Sequence, residues 1–226
     1  MNHTTSAVRI WDLPTRLFHV TLGLSVVGLI ITGEVGGDAM RIHFWLGYVV
    51  LTLVFFRIAW GVFGGHWSRF VNFFPSPQLV RNYVAALRRK EQPKSISHNP
   101  LGALSVLAML TILLLQVASG LISDDEISIS GPLTSLVSGA WVSFATNYHT
   151  EVGKVLLIFL LILHVASVLF YKFFKNEDLI TPMIDGDKQL PSTTQPSRDS
   201  ITSRAFALGV LVACAYAVYR LVQLGG

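Results

Sequence analysis

"RLFHVTLGLSVVGLIITG", residues 16–33, reads as a segment built to dissolve in hydrocarbon, and from Leu17 onward its one ionisable side chain is His19. About 20 apolar residues are enough for a helix to cross a bilayer core. An ionisable group inside such a helix is costly unless something pairs with it. His19 is therefore either a polar residue tolerated near a helix end or a ligand, and the rest of the chain decides between the two.

The chain has 226 residues, of which 52% are hydrophobic and only 13% charged, and its mean hydropathy is +0.56. Soluble domains carry about 25% charged residues, so the composition belongs to the membrane class and nothing in it points to nucleic acid. A single cysteine, Cys214, rules out a disulfide within the chain. No Cys-x-x-Cys-His run is present, which excludes a covalently attached c-type haem. The first 15 residues are polar and lack an apolar core, so no cleavable signal is expected and the first span itself would direct insertion.

Four spans stand out, at roughly 17–34, 43–63, 102–122 and 149–171, and a fifth apolar stretch covers 204–223. Helices are expected, because an open chain in lipid has no other way to satisfy its backbone. Lysine and arginine placement sets the orientation. Arg69, Arg81, Arg88, Arg89, Lys90 and Lys94 lie between spans two and three; Lys172, Lys175, Lys188 and Arg198 follow span four; Arg9 and Arg16 precede span one. The opposite connections, "EVGGDAM" and "SDDEISISGPLTSLVSGAWVSFATNY", carry no basic residue. The N-terminus is thus expected in the cytoplasm, and a fifth span would put the C-terminus outside. "SPQLVRNYVAALRRK" reads as a short helix lying at anionic headgroups or, less simply, as a partner-docking surface. The stretch 176–203, rich in Pro, Ser, Thr and Asp, reads as a polar linker.

Of seven histidines, His3 lies in the polar tail, and His66 and His98 read as solvated side chains of the inner connection. The other four are at or inside spans. His19 is near the inner end of span one, His43 at the outer start of span two and His149 at the outer start of span four. His164 follows His149 by 15 residues, about 22 Å further inward and about 60° around an ideal helix. Two pairs result, His19 with His164 at the inner level and His43 with His149 at the outer. A closed zinc site wants four ligands in one place. A haem brings its own four in-plane nitrogens and asks the protein for two axial ligands, and bundle interiors are where helical proteins build such sites. Two noncovalent b haems, each held by two histidines, is the economical reading.

Gly23, Gly28, Gly33, Gly47, Gly120 and Gly153 offer room for a macrocycle, or simply for close helix packing. Haem propionates need cationic partners near water. Arg16 and Arg57 are placed for the inner group and Arg41 and Lys154 for the outer one, although Arg57 has the alternative of snorkelling to the headgroups. Trp45, Trp60, Trp67 and Tyr171 read as interface anchors.

"VRIWDLPTRLFHV", "IHFWLGY", "FRIAWGVFG", "HNPLGALSVLAMLTILLLQVASGLI", "GPL" and "LHVASVLFYK" together resemble the bacterial cytochrome b561 family, which includes the b-type cytochrome subunits of Ni,Fe-hydrogenases. The resemblance covers roughly residues 7–175. It implies that His19, His43, His149 and His164 are axial ligands to two b haems in a four-helix core. It further implies electron transfer across the bacterial inner membrane between a quinone pool, ubiquinone or menaquinone, and a redox partner. That partner would be a periplasmic cytochrome c or a dehydrogenase or hydrogenase subunit. The expected organisation is a di-haem transmembrane domain over 1–175, a linker over 176–203 and an extra helix over 204–226, peripheral to the haem core.

An electron-transfer subunit is favoured over a free-standing enzyme. The resemblance permits a quinone-reducing superoxide oxidase, but such an enzyme needs a cationic entry funnel, and the outer loop instead holds Asp124, Asp125 and Glu126. Acidic charge suits a lysine-rich soluble partner better. A haem-free transporter or structural membrane protein, with its histidines as proton-relay groups, is the third class.

Overall fold

The structure, a computed structural model, describes residues 5–91, 93, 95–125 and 129–225; His3, Lys94 and Glu126 lie outside them. Among the described residues the chain is mostly helical. Five segments are long and apolar enough to cross a membrane: Leu13–Val35, Gly37–Phe63, Pro100–Leu121, Gly139–Phe174 and Ile201–Gly225. Their surfaces are largely apolar and exposed, as with Leu24, Val35 and Phe174. This is what a lipid-facing helix requires, since hydrocarbon rather than protein is its solvent.

By chain order the elements are β1 (Thr5–Arg9), α1 (Leu13–Val35), α2 (Met40–Phe63), α3 (Pro77–Arg88), α4 (Pro100–Leu121), α5 (Gly139–Asn147), a π-helical turn (Tyr148–Gly153), α6 (Lys154–Phe174), α7 (Thr181–Asp185), β2 (Asp187–Pro191) and α8 (Ile201–Val222). Two boundaries differ from the sequence reading. The fourth span starts ten residues before His149, because α5 and the π turn precede α6 from Gly139. The stretch 176–203 is more than a polar connection: it contains α7 and β2.

The chain divides into two compact units. The first comprises residues up to Phe18, Arg57–Ala108 and Ile162–Leu208. In it β1 and β2 pair antiparallel, from Thr5 opposite Pro191 to Arg9 opposite Asp187. Arg9 donates to Asp187 (2.7 Å) and Asp199 (3.0 Å), so one guanidinium pins both ends of the returning segment. Ser197 adds bonds from its amide to the Arg9 carbonyl and from its hydroxyl to that of Ile10. Asp12 is fully buried and caps α1 by accepting from the Thr15 amide (2.8 Å). It also accepts from Trp60 Nε1, the Gly65 amide and the Ser68 hydroxyl. Trp60 is consequently 1% exposed, which corrects its reading as an interface anchor. His98 is half-buried and packs against the rings of Trp11 and Phe73, where the sequence reading has it solvated, because contact with two aromatic rings replaces part of its water. The Tyr83 hydroxyl of α3 shares a 2.8 Å hydrogen bond with that of Tyr171. Burial first, and then this bond, hold the Tyr83 phenol well above its ordinary pKa.

The second unit comprises His19–Phe56, Met109–Leu161 and Gly209–Gly226. Its core is one apolar cluster drawn from five helices: Val26 of α1, Val50, Leu51 and Val54 of α2, Leu113, Val117 and Leu121 of α4, Leu157 of α6 and Val218 of α8. The fifth helix contributes Val218 to this apolar cluster. Ser135 fixes its end by donating to the Gly225 carbonyl (2.9 Å).

Candidate haem site

In the second unit His43 projects from the first turn of α2 and His149 from the π turn, and their ring centres are 6.2 Å apart with planes crossed at 80°. Each ring is held by its Nδ1. In His43 this nitrogen meets the Leu29 carbonyl (3.1 Å) and the Thr32 hydroxyl (3.2 Å) of α1. In His149 it meets the Gln116 carbonyl of α4 at 2.8 Å. A backbone carbonyl accepts only from N–H, so both rings are fixed as Nδ1–H tautomers with Nε2 as the basic nitrogen. Metal-ligating histidines are held in this way by their other ring nitrogen.

The spacing supports the same use. Metal–imidazole bonds are about 2.0–2.1 Å, which places two rings on opposite sides of one metal with centres about 6 Å apart. Among the described residues no group of three or more His, Cys, Asp or Glu could hold a metal, so this donor set suits a group that needs two protein ligands. The histidines line a cavity of about 360 Å³, within the range of about 300–1,000 Å³ typical of ligand pockets. Its walls are mostly apolar, including Leu29, Ile30, Val50, Leu113, Val117 and Leu157.

The glycines separate by role. A Cβ at Gly120 would come within 2.8 Å of the His149 ring, and one at Gly33 within 3.3 Å of the His43 ring, so these two make room for the ligands themselves. Gly47 lines the cavity with nothing within 4 Å of where its Cβ would be. Gly28 packs against Leu46, while Gly23 meets no neighbour.

Of the four cations expected at propionates, Lys154 lines the cavity and is paired with Glu34 at 3.1 Å. Arg41 is exposed and is not among the lining residues. Arg57 belongs to the first unit and is 4% exposed, which removes the snorkelling alternative. Its guanidinium lies over Phe70 (4.8 Å) and Phe73 (5.7 Å), with Nη1 buried and unpartnered. Arg16, in the same unit, donates to the Ile184 carbonyl and has a buried, unpartnered Nε. His19 is exposed on α1 in the second unit and His164 half-buried on α6 in the first. The outer pair is thus brought together within one unit, while the inner pair rests on the sequence reading.

Two residues that matter here were missed in the sequence. Gln116, alone among apolar neighbours in "TILLLQVAS", carries the same signal of a polar group in hydrocarbon that singled out His19. Asp12, just before an apolar run with proline two residues on, has the signature of a helix N-cap.

Comparison with known proteins identifies the family. Residues 10–186 match the family described as prokaryotic cytochrome b561. The chain belongs to that family, and it is a multi-pass bacterial membrane protein, a b-type cytochrome of electron transfer. Among its relatives is a probable Ni/Fe-hydrogenase B-type cytochrome subunit of Rhodobacter capsulatus, 22% identical over 214 residues covering 81% of this chain and 82% of the relative. No solved structure matches.

Proposed function

We propose that the chain is a di-haem b-type cytochrome that carries electrons across the inner membrane between the quinone pool and a redox partner. The observation that carries this reading is the His43–His149 pair: ring centres 6.2 Å apart, each Nδ1 spent on a carbonyl, both rings lining a mostly apolar cavity. His43 and His149 hold the outer haem and His19 and His164 the inner one. These histidines would hold the group, which when bound would supply one-electron chemistry.

The chain's own residues do the rest. The Leu29 and Gln116 carbonyls keep the outer imidazoles in one tautomer and raise their basicity toward a metal. The apolar walls keep water from the group they enclose. Arg57, with its unpartnered Nη1, and Arg16 supply positive charge for the inner propionates. Lys154, now paired with Glu34, would supply it for the outer ones, and Arg41 would add charge at the same level. The acidic residues Glu34, Asp124 and Asp125 on the cavity lining suit a basic soluble partner. The relative's printed name supports a hydrogenase as another partner. The basic connections favour a cytoplasmic N-terminus.

The test is quinol oxidation by the purified protein in proteoliposomes. Quinol is expected to reduce a b-type absorbance that an external cytochrome c or dehydrogenase partner then exchanges electrons with. Purified protein with no reducible b-type spectrum would end the proposal.

A further inference from the structure

The third span carries none of the four histidines, yet α4 contacts His149 through Gln116, Ser119 and Gly120. Its Gln116 carbonyl accepts from His149 Nδ1 at 2.8 Å, and its Gln116 Nε2 donates to the His149 carbonyl at 2.8 Å. The Ser119 hydroxyl stands 3.4 Å from the same Nδ1. One residue therefore grips both the ring and the backbone of the ligand. The grip falls on the π turn, where the helix is locally widened, and such turns cluster at functional sites. Gly153 closes that turn, and a Cβ there would collide with Gln116 Oε1. Gly153 is glycine, on this geometry, because the amide needs the space.

We infer that Gln116 is a positioning residue for the outer haem, setting the orientation and basicity of His149 by bonding its ring nitrogen and its carbonyl together. The inference rests on the proposal that His149 is an axial ligand. Loss of the side-chain clamp frees the π turn and weakens the bond from Nδ1 to the Gln116 carbonyl. The imidazole then becomes less basic, and a less basic ligand favours the reduced metal.

The experiment compares Gln116→Leu, Gly153→Ala and a control, Leu115→Ala at an exposed neighbour, in the full-length protein. The readouts are haem content, redox titration and low-temperature paramagnetic resonance of the oxidised protein. Gln116→Leu is expected to keep both haems. It should shift the reduction equilibrium of one haem threefold or more toward the reduced form, move that haem's low-spin signal, and leave the other haem unchanged. Gly153→Ala, which pushes the amide aside, should reproduce the shift, and Leu115→Ala should not. In haem-free protein, nitrogen-15 shifts of the His149 ring are expected to report the Nδ1–H tautomer in wild type and a mixture of tautomers in Gln116→Leu. Two variants with wild-type potentials and signals would overturn the inference. A His149→Ala protein that keeps both haems would instead overturn the ligand assignment, and the positioning role with it; an altered tautomer in haem-free Gln116→Leu tells the two failures apart.

Discussion

At the scale of single residues, the molecule depends on polar groups held in apolar surroundings with their bonds accounted for. His43 and His149 act as a pair, so His43→Ala and His149→Ala are each expected to halve the haem content, and the double variant to lose no more than either alone. Pyridine haemochrome assay of purified protein checks this. Gly120→Ala is expected to lower occupancy of the same haem, because its methyl would sit within 2.8 Å of the His149 ring. Asp12 is a different case. With the Trp60, Gly65 and Ser68 donors left unsatisfied, Asp12→Ala is expected to cost about 3 kcal/mol, read as a lowered unfolding temperature. The proximity of His43 and His149 was legible in the sequence because an ionisable ring in hydrocarbon is conspicuous. Gln116 was passed over because an uncharged amide costs less in that setting, and Trp60 was misread because a tryptophan near a span end has two good environments, headgroups or a buried acceptor such as Asp12.

At the scale of elements, the spans were legible from hydropathy alone, whereas the ends of the fourth and the order within 176–203 were not. Polar loop composition conceals α5, whose helix starts before the apolar run does. A 3.6-residue count likewise has no way to anticipate the π turn. The β1–β2 pairing joins residues about 180 positions apart, and its strands are too short and polar to show a pattern. This segment yields a pH prediction. Burial pushes the Asp199 carboxyl upward, but the Arg204 hydrogen bond, the Leu13 amide and the charges of Arg204 and Arg9 outweigh it, so its pKa lies below the ordinary 3.8. A depressed carboxylate contributes stability that is full above the unfolded pKa and lost as the pH falls through the folded one. Limited proteolysis should therefore leave 176–200 intact at neutral pH and cut it only as the pH drops below about 4. Asp199→Asn should be cut at neutral pH as well. Truncation before α8 is expected to lower thermal stability, since Val218 leaves the core, yet to keep the outer haem, since no α8 residue lines the cavity.

At the scale of the whole molecule, five apolar helices and a match over residues 10–186 make the chain a membrane b-type cytochrome. Two haems at two depths would turn that scaffold into a path across the bilayer, and their number is the central claim. The most direct test is haem-to-protein stoichiometry combined with a potentiometric titration in native membranes. The account predicts two b haems per chain, titrating as two one-electron components with low-spin, bis-histidine spectra. One haem per chain, or two components that both survive removal of His43 or His149, would contradict it.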